Sequence, residues 1–64
     1  MKKVYKVYKL TFSGITTIGL NVEGDEGKGY YYTKIDAEGW IMINGTHAVS
    51  DSDQLVVLEV YVKH

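Results

Sequence analysis

Apolar and polar residues alternate along both ends of this chain. Val4–Phe12, VYKVYKLTF, and Gln54–Lys63, QLVVLEVYVK, carry β-branched and aromatic residues at a two-residue period. That is the pattern of strands with one buried face. In the last run Val56, Leu58, Val60 and Val62 form a wholly apolar stripe, and Leu55, Val57, Glu59, Tyr61 and Lys63 a mixed one. In the middle, Gly29–Asn44 reads GYYYTKIDAEGWIMIN, two aromatic and β-branched runs around Asp36-Ala37-Glu38-Gly39. The combination predicts a hairpin whose three-residue loop, Ala37 to Gly39, is closed by Gly39 at positive φ. In that register Tyr31, Ile35, Ile41 and Ile43 share one face. Tyr30, Tyr32, Lys34, Trp40 and Met42 share the other, which is too aromatic for a solvated surface.

Turn signals divide the rest. Ser13-Gly14 suits a two-residue hairpin loop placing Phe12 opposite Ile15 and Val7 opposite Leu20. Asn44-Gly45 is the strongest two-residue turn signal in the chain and predicts a short return strand, Thr46–Val49. Ser50 to Asp53 are turn formers that hydrogen-bond their own backbone. Glu23–Lys28, EGDEGK, reads as a solvated, mobile connection. No stretch shows a 3.6-residue apolar period, so no helix is expected. The expectation is an all-β fold: a small antiparallel meander of five to six strands forming a barrel or a two-layer sandwich. The six-strand version runs 3–12, 15–23, 29–36, 40–44, 46–50 and 54–63. Its core would draw on Val7, Ile18, Leu20, Ile35, Ile41, Ile43, Val56, Leu58, Val60 and Val62.

Size and charge narrow the classes. Sixty-four residues make one domain, and a domain of about 60 residues buries only about 60% of its unfolded surface. There is no cysteine, hence no disulfide framework and no thiolate chemistry. The formal net charge of -1 gives no broad attraction to nucleic acid. Met1-Lys2-Lys3 resembles the start of a secretory signal, but no apolar segment follows and nothing approaches a membrane span. A cytoplasmic protein is the expectation.

Candidate chemistry is sparse. His47 lies near Asp51 and Asp53, with Ser50 and Ser52 as hydroxyls, so a triad or a metal site can be drawn. The spacing matches no recognised pattern, and the expectation is no catalytic residue, no metal and no cofactor. Glu23, Asp25 and Glu26 lack the twelve-residue calcium-loop pattern. Asn44-Gly45-Thr46 spells a glycosylation acceptor but reads first as a turn. The more informative set is aromatic: Tyr8, Phe12, Tyr30, Tyr32, Trp40, Met42 and Tyr61 are the candidate binding residues. Asp25, Glu26, Lys28, Asp51 and Asp53 are candidate loop contacts. Interleaved with lysines, such rings can stack bases; they also serve as cross-strand packing or as protein-interface anchors.

GITTIGLNVEG at Gly14–Gly24, followed by YYYTKIDAEGWIMI and a late β-run, resembles in layout the trp RNA-binding attenuation protein family. The likeness lies in length, strand order and a few glycines over roughly residues 10–62, with no specific motif. It implies a small β-sandwich assembled as a ring with a ligand held between subunits. The late run LVVLEVYV lacks the basic residues through which that family holds RNA.

These readings converge on a non-enzymatic binding protein that self-associates as a dimer or small ring. It would bind or sequester a partner protein or small ligand, an inhibitor-like role that small β-proteins also have in phages. The alternative is a nucleic-acid-binding β-barrel using the Tyr/Trp face. The long, proline-free first and last strands invite edge pairing if the sheet stays open.

Overall fold

The computed structural model describes residues 1–16, 21–48 and 54–63. Strand β1 (Lys2–Thr11), the short strand β2 (Gly14–Thr16), helix α1 (Lys34–Ala48) and strand β3 (Gln54–Val62) follow in order, with one 3-10 turn at Asp25–Gly27. The sheet has three antiparallel strands in the order β2-β1-β3. Among the described residues it is an open sheet with one helix, which corrects the all-β expectation of a five- to six-strand barrel or sandwich.

The two alternating runs do form strands. β1 and β3 pair without interruption from Lys2↔Val62 to Leu10↔Gln54. The first turn falls one residue earlier than the glycine suggested. Thr11 pairs with Gly14 and Leu10 with Ile15, so Phe12-Ser13 is the loop. Gly14, at φ 130, takes the strained position just after it. The Thr11 hydroxyl closes the turn, donating to the Gly14 carbonyl at 3.0 Å and accepting the Ser13 N–H at 3.2 Å. Compared with the expected pairing, the register has moved by two residues, which leaves every side chain on its expected face. Ile18, Gly19 and Leu20 lie outside the described residues.

The central hairpin does not exist. Lys34–Ala48 is a fifteen-residue helix covering the expected loop 37–39, the Asn44-Gly45 turn and the strand from Thr46. Thr33 caps it: its hydroxyl accepts the Asp36 N–H at 3.3 Å and its carbonyl accepts the Ala37 N–H at 3.3 Å. Asp36 in the first turn also complements the helix dipole. Gly39 is absent from the positive-φ glycines, which among the described residues are Gly14, Gly24, Gly27 and Gly29. Ala37 is buried, with Trp40, Ile41, Asn44 and Gly45 half-buried on the same side, a spacing of three and four residues. That side packs on the sheet, and a Cβ at Gly45 would stand 3.4 Å from Leu55 Cδ1.

Leu55 shares its sheet face with Val57, Glu59 and Tyr61, and with Lys3, Tyr5, Val7 and Lys9 of β1. The opposite face carries Lys2, Val4, Lys6, Tyr8 and Leu10 with Val56, Leu58, Val60 and Val62. Val4 and Val7 are both buried although they point to opposite faces, so at this level the sheet is covered on both sides. Together with Ala37 they are the fully buried apolar residues of the described chain. Ile35 and Ile43, expected in the core, are instead 80% and 77% exposed. They point away from the sheet because the helical period separates them from Ala37 and Ile41. No helix among the described residues is long and apolar enough to cross a membrane.

Candidate binding surface

Glu23–Lys28, expected as a solvated, mobile connection, has Glu23, Glu26, Gly27 and Lys28 exposed and is tied together by hydrogen bonds of its own and of the tyrosines that follow. Asp25 is its pivot. Its N–H donates to the Tyr30 carbonyl at 2.7 Å, its carbonyl accepts the Lys28 N–H at 3.0 Å, and its carboxylate accepts the Tyr32 N–H at 2.8 Å. The Gly29 N–H donates to the Glu23 carbonyl at 2.5 Å. Gly24 is required twice over: φ is 73, and a Cβ there would collide with the backbone N and O of Tyr30. Glu26 is left-handed without being glycine, at φ 56, a conformation held by the bonds around it.

The loop then delivers three consecutive tyrosines to the sheet. Tyr31 exchanges both backbone hydrogen bonds with Tyr5 at 2.8 Å, an isolated bridge on the side of β1 away from β3. The Tyr31 ring therefore shares the face of Tyr5, and burial beside Asp25, Asp36 and Glu23 holds its phenol above the ordinary value. Tyr30 and Tyr32 go to the other face, edge to face at 6.0 Å between ring centroids. Lys2 Nζ stands 4.0 Å from the Tyr32 centroid, Lys28 Nζ 5.8 Å from the same ring, and Lys6 Nζ 5.8 Å from the Tyr8 ring. These are cation–π distances.

Tyr32 also joins two charges. Its hydroxyl donates to Glu26 Oε2 at 2.8 Å and accepts from Lys28 Nζ at 3.2 Å, while Lys28 Nζ lies 3.1 Å from the same Glu26 oxygen. The Tyr32 hydrogen bond, then Lys28, lowers the Glu26 carboxyl below its usual value. The same contacts raise Lys28, and the bond to Glu26 raises the Tyr32 phenol. Each shift leads away from neutral pH. A general acid or base works best with a pKa near the operating pH, so this cluster is suited to holding a loop and not to moving protons.

The expected binding residues do not form one surface. Tyr8, Tyr30 and Tyr32 lie on the same face as Val4, with Tyr30 and Tyr32 in ring contact. Tyr61 is on the opposite face, toward the outer end of β3, and is 62% exposed. Phe12 is exposed at the tip of the first hairpin. Trp40 is half-buried on the inner side of α1, and Met42, 86% exposed, is on the outer side. The expectation that Trp40 and Met42 share a face with Tyr30 and Tyr32 fails because residues two apart on a helix diverge by roughly 200°. Asp25, Glu26 and Lys28 are in the ordered loop. Asp51 and Asp53, with Ser50 and Ser52, lie outside the described residues. The His47 backbone is helical, not part of a short strand. No group of three metal-ligating side chains occurs among the described residues.

Two further surfaces stand out, the first not anticipated and the second expected only for an open sheet. One is the outer side of α1, where Ile35, Met42 and Ile43 are all largely exposed. The other is the edge of β3 away from β1, which pairs with no strand among the described residues. The last strand thus answers the expectation for an open sheet, while the first, β1, is central. Comparison with family models, with curated proteins and with solved structures finds no match to this chain.

Proposed function

We propose that this chain is a non-enzymatic, cytoplasmic binding protein that self-associates and sequesters a partner protein, in the manner of an inhibitor. The observation carrying the reading is the outer side of α1. A helix packed on a sheet normally turns polar residues outward, yet here Ile35, Met42 and Ile43 are 77–86% exposed. Large exposed side chains grouped on one element favour a protein partner, with methionine adding an adaptable contact. Sedimentation equilibrium from micromolar concentration upward tests the self-association. A mass above 7.2 kDa is expected, and the monomer alone at every concentration overturns it. Parallel capture on the immobilised chain and on its Met42→Lys, Ile43→Lys variant tests the docking side. A protein held by the first and lost from the second is expected; equal capture overturns the role of α1.

A second reading rests on the tyrosine–lysine patch. Tyr8, Tyr30 and Tyr32, with Lys2, Lys6 and Lys28 beside their rings, offer aromatic faces and positive charge to a single-stranded nucleic acid. Glu26 inside the patch opposes it. Electrophoretic shift with single-stranded oligonucleotides decides: binding that weakens steeply with salt favours this reading, and none at low salt removes it.

A further inference from the structure

We infer that two copies of this chain pair β3 to β3, antiparallel about a two-fold axis through Leu58, making one continuous six-stranded sheet. The inference rests on the proposed self-association and assigns it a surface and a register.

The backbone fixes which groups are free. Tyr5 gives both its N–H and its C=O to Tyr31, so it has none left for Glu59, its neighbour across β3. Tyr5↔Glu59 is therefore a non-hydrogen-bonded pair, and the N–H and C=O of Glu59 point outward from the sheet. The alternation of an antiparallel ladder extends this to Leu55, Val57 and Tyr61. Along this edge, those groups have no strand partner among the described residues.

Within β3 itself the usual defences of an edge are missing. β3 contains no proline, and its single charged residue is Glu59. Its register with β1 runs from Gln54 to Val62 with no bulge. Natural edges of this length are blunted by lysine, proline, a bulge or a cover.

A second copy fits this edge in one register better than in the others. With Leu58 facing Leu58 across the axis, Leu55 pairs with Tyr61 and Val57 with Glu59, each twice by symmetry. All the outward-pointing residues are then used, in roughly eight inter-chain hydrogen bonds. A shift of two residues toward the C-terminus sets Glu59 against Glu59, and the opposite shift leaves Tyr61 unpaired. Glu59 keeps its own counter-charge in Lys3, 3.8 Å away. On the same register Val56 meets Val60, and Leu58, 36% exposed, meets its own copy. The apolar stripe of β3 thus becomes continuous across both chains, an isologous contact.

The absence of native cysteine makes a single introduced thiol an unambiguous reporter. Leu58→Cys places two thiols on adjacent strands at the axis, whereas Tyr61→Cys places them roughly 20 Å apart, six residues along the strands. Mild oxidation of the full chain at a concentration where it is associated should give a covalent dimer with Leu58→Cys and not with Tyr61→Cys. Glu59→Pro, which removes an outward N–H and no bond to β1, should reduce the mass from twice 7.2 kDa to the monomer. Met42→Lys should leave the dimer intact. If wild type is associated but Leu58→Cys does not cross-link, or both thiols cross-link equally, the edge pairing is overturned while self-association stands. If wild type is monomeric throughout, both fall. Should Glu59→Pro fail to fold, the comparison of the two thiols decides alone.

Discussion

Replacing Gly39 by alanine separates the helix from the hairpin by the sign of one number. Gly39 is the sixth residue of α1, has no positive φ, and nothing lies within 4 Å of where its Cβ would stand. The substitution therefore adds no clash and no burial. What changes is the backbone entropy of the unfolded chain, and in a helix interior alanine is favoured over glycine by about 0.8–1.0 kcal/mol. For a domain near this size, about 1 kcal/mol moves the melting temperature by roughly 4–8 °C. Gly39→Ala should melt higher by that amount in circular dichroism. Both proteins must be compared at one concentration, because the proposed association would make the midpoint concentration-dependent. In a hairpin closed by Gly39 at positive φ, the same alanine would cost about 1 kcal/mol or more. A lower melting temperature would refute the helix at this position. Gly45→Ala is the internal control: its Cβ would meet Ile41 Cγ2 and Leu55 Cδ1, both at 3.4 Å. Its gain should fall short of that at Gly39, since the close contact offsets part of the entropy.

Other outcomes follow from the loop and the core. Gly24→Ala should cost at least about 2 kcal/mol in urea unfolding, combining left-handed strain with collision against Tyr30. Amide exchange should be slow at Asp25, Lys28, Gly29 and Tyr32, whose N–H groups are bonded, which uniformly fast exchange through 23–32 would contradict. Stability owed to the Tyr32–Glu26 contact should have two limits. The lowered Glu26 carboxyl contributes fully above the ordinary carboxylate value and is lost as pH falls through its folded pKa. The raised Tyr32 phenol contributes fully below the ordinary phenol value and is lost as pH rises through its folded pKa. In a difference titration of phenolate absorbance, Glu26→Gln should bring Tyr32 back toward the ordinary value. Val4→Ala, at a fully buried site, should destabilise by roughly 1.5–3 kcal/mol.

The strands at the two ends were legible because period-two alternation of β-branched residues has few other readings. Their mutual pairing was not, since nothing local specifies that the last strand lies beside the first and that β1 is central. The hydrogen bonds inside the loop were not legible for a different reason: composition marks glycines and acids as exposed, without saying that Gly24, Gly27 and Gly29 each take positive φ and let the loop bond to itself. A site built on the tyrosines was half legible. Tyr30 and Tyr32 do share a face, but the helix removes Trp40 and Met42 from it.

The helix shows most clearly how local propensity and tertiary context part. Lys34–Ala48 holds three isoleucines, two glycines and an Asn-Gly pair, each a reason to expect strand or turn. Its inner side is Ala37, Asn44 and Gly45 with Trp40 and Ile41 between them, so small residues occupy positions where a hydrophobic count looks for large ones. They let α1 approach the sheet closely at Leu55, and Asn44 returns its amide to the Trp40 carbonyl at 3.2 Å. Meanwhile Ile35, Met42 and Ile43 put apolar weight on the outside, which erases the one-sided signal that marks a surface helix. One local signature was present: Thr33-Lys34-Ile35-Asp36 fits the Ser/Thr-x-x-Asp/Glu pattern of a helix start, and Thr33 does cap α1. The features that hid the helix are the ones that support a binding role. If the outer isoleucines and methionine contributed only to helix stability, polar helix formers would serve as well, and Ile35→Lys, Ile43→Glu should then leave both stability and partner capture unchanged. Loss of capture with an unchanged melting temperature is the outcome expected of a surface kept apolar for a partner.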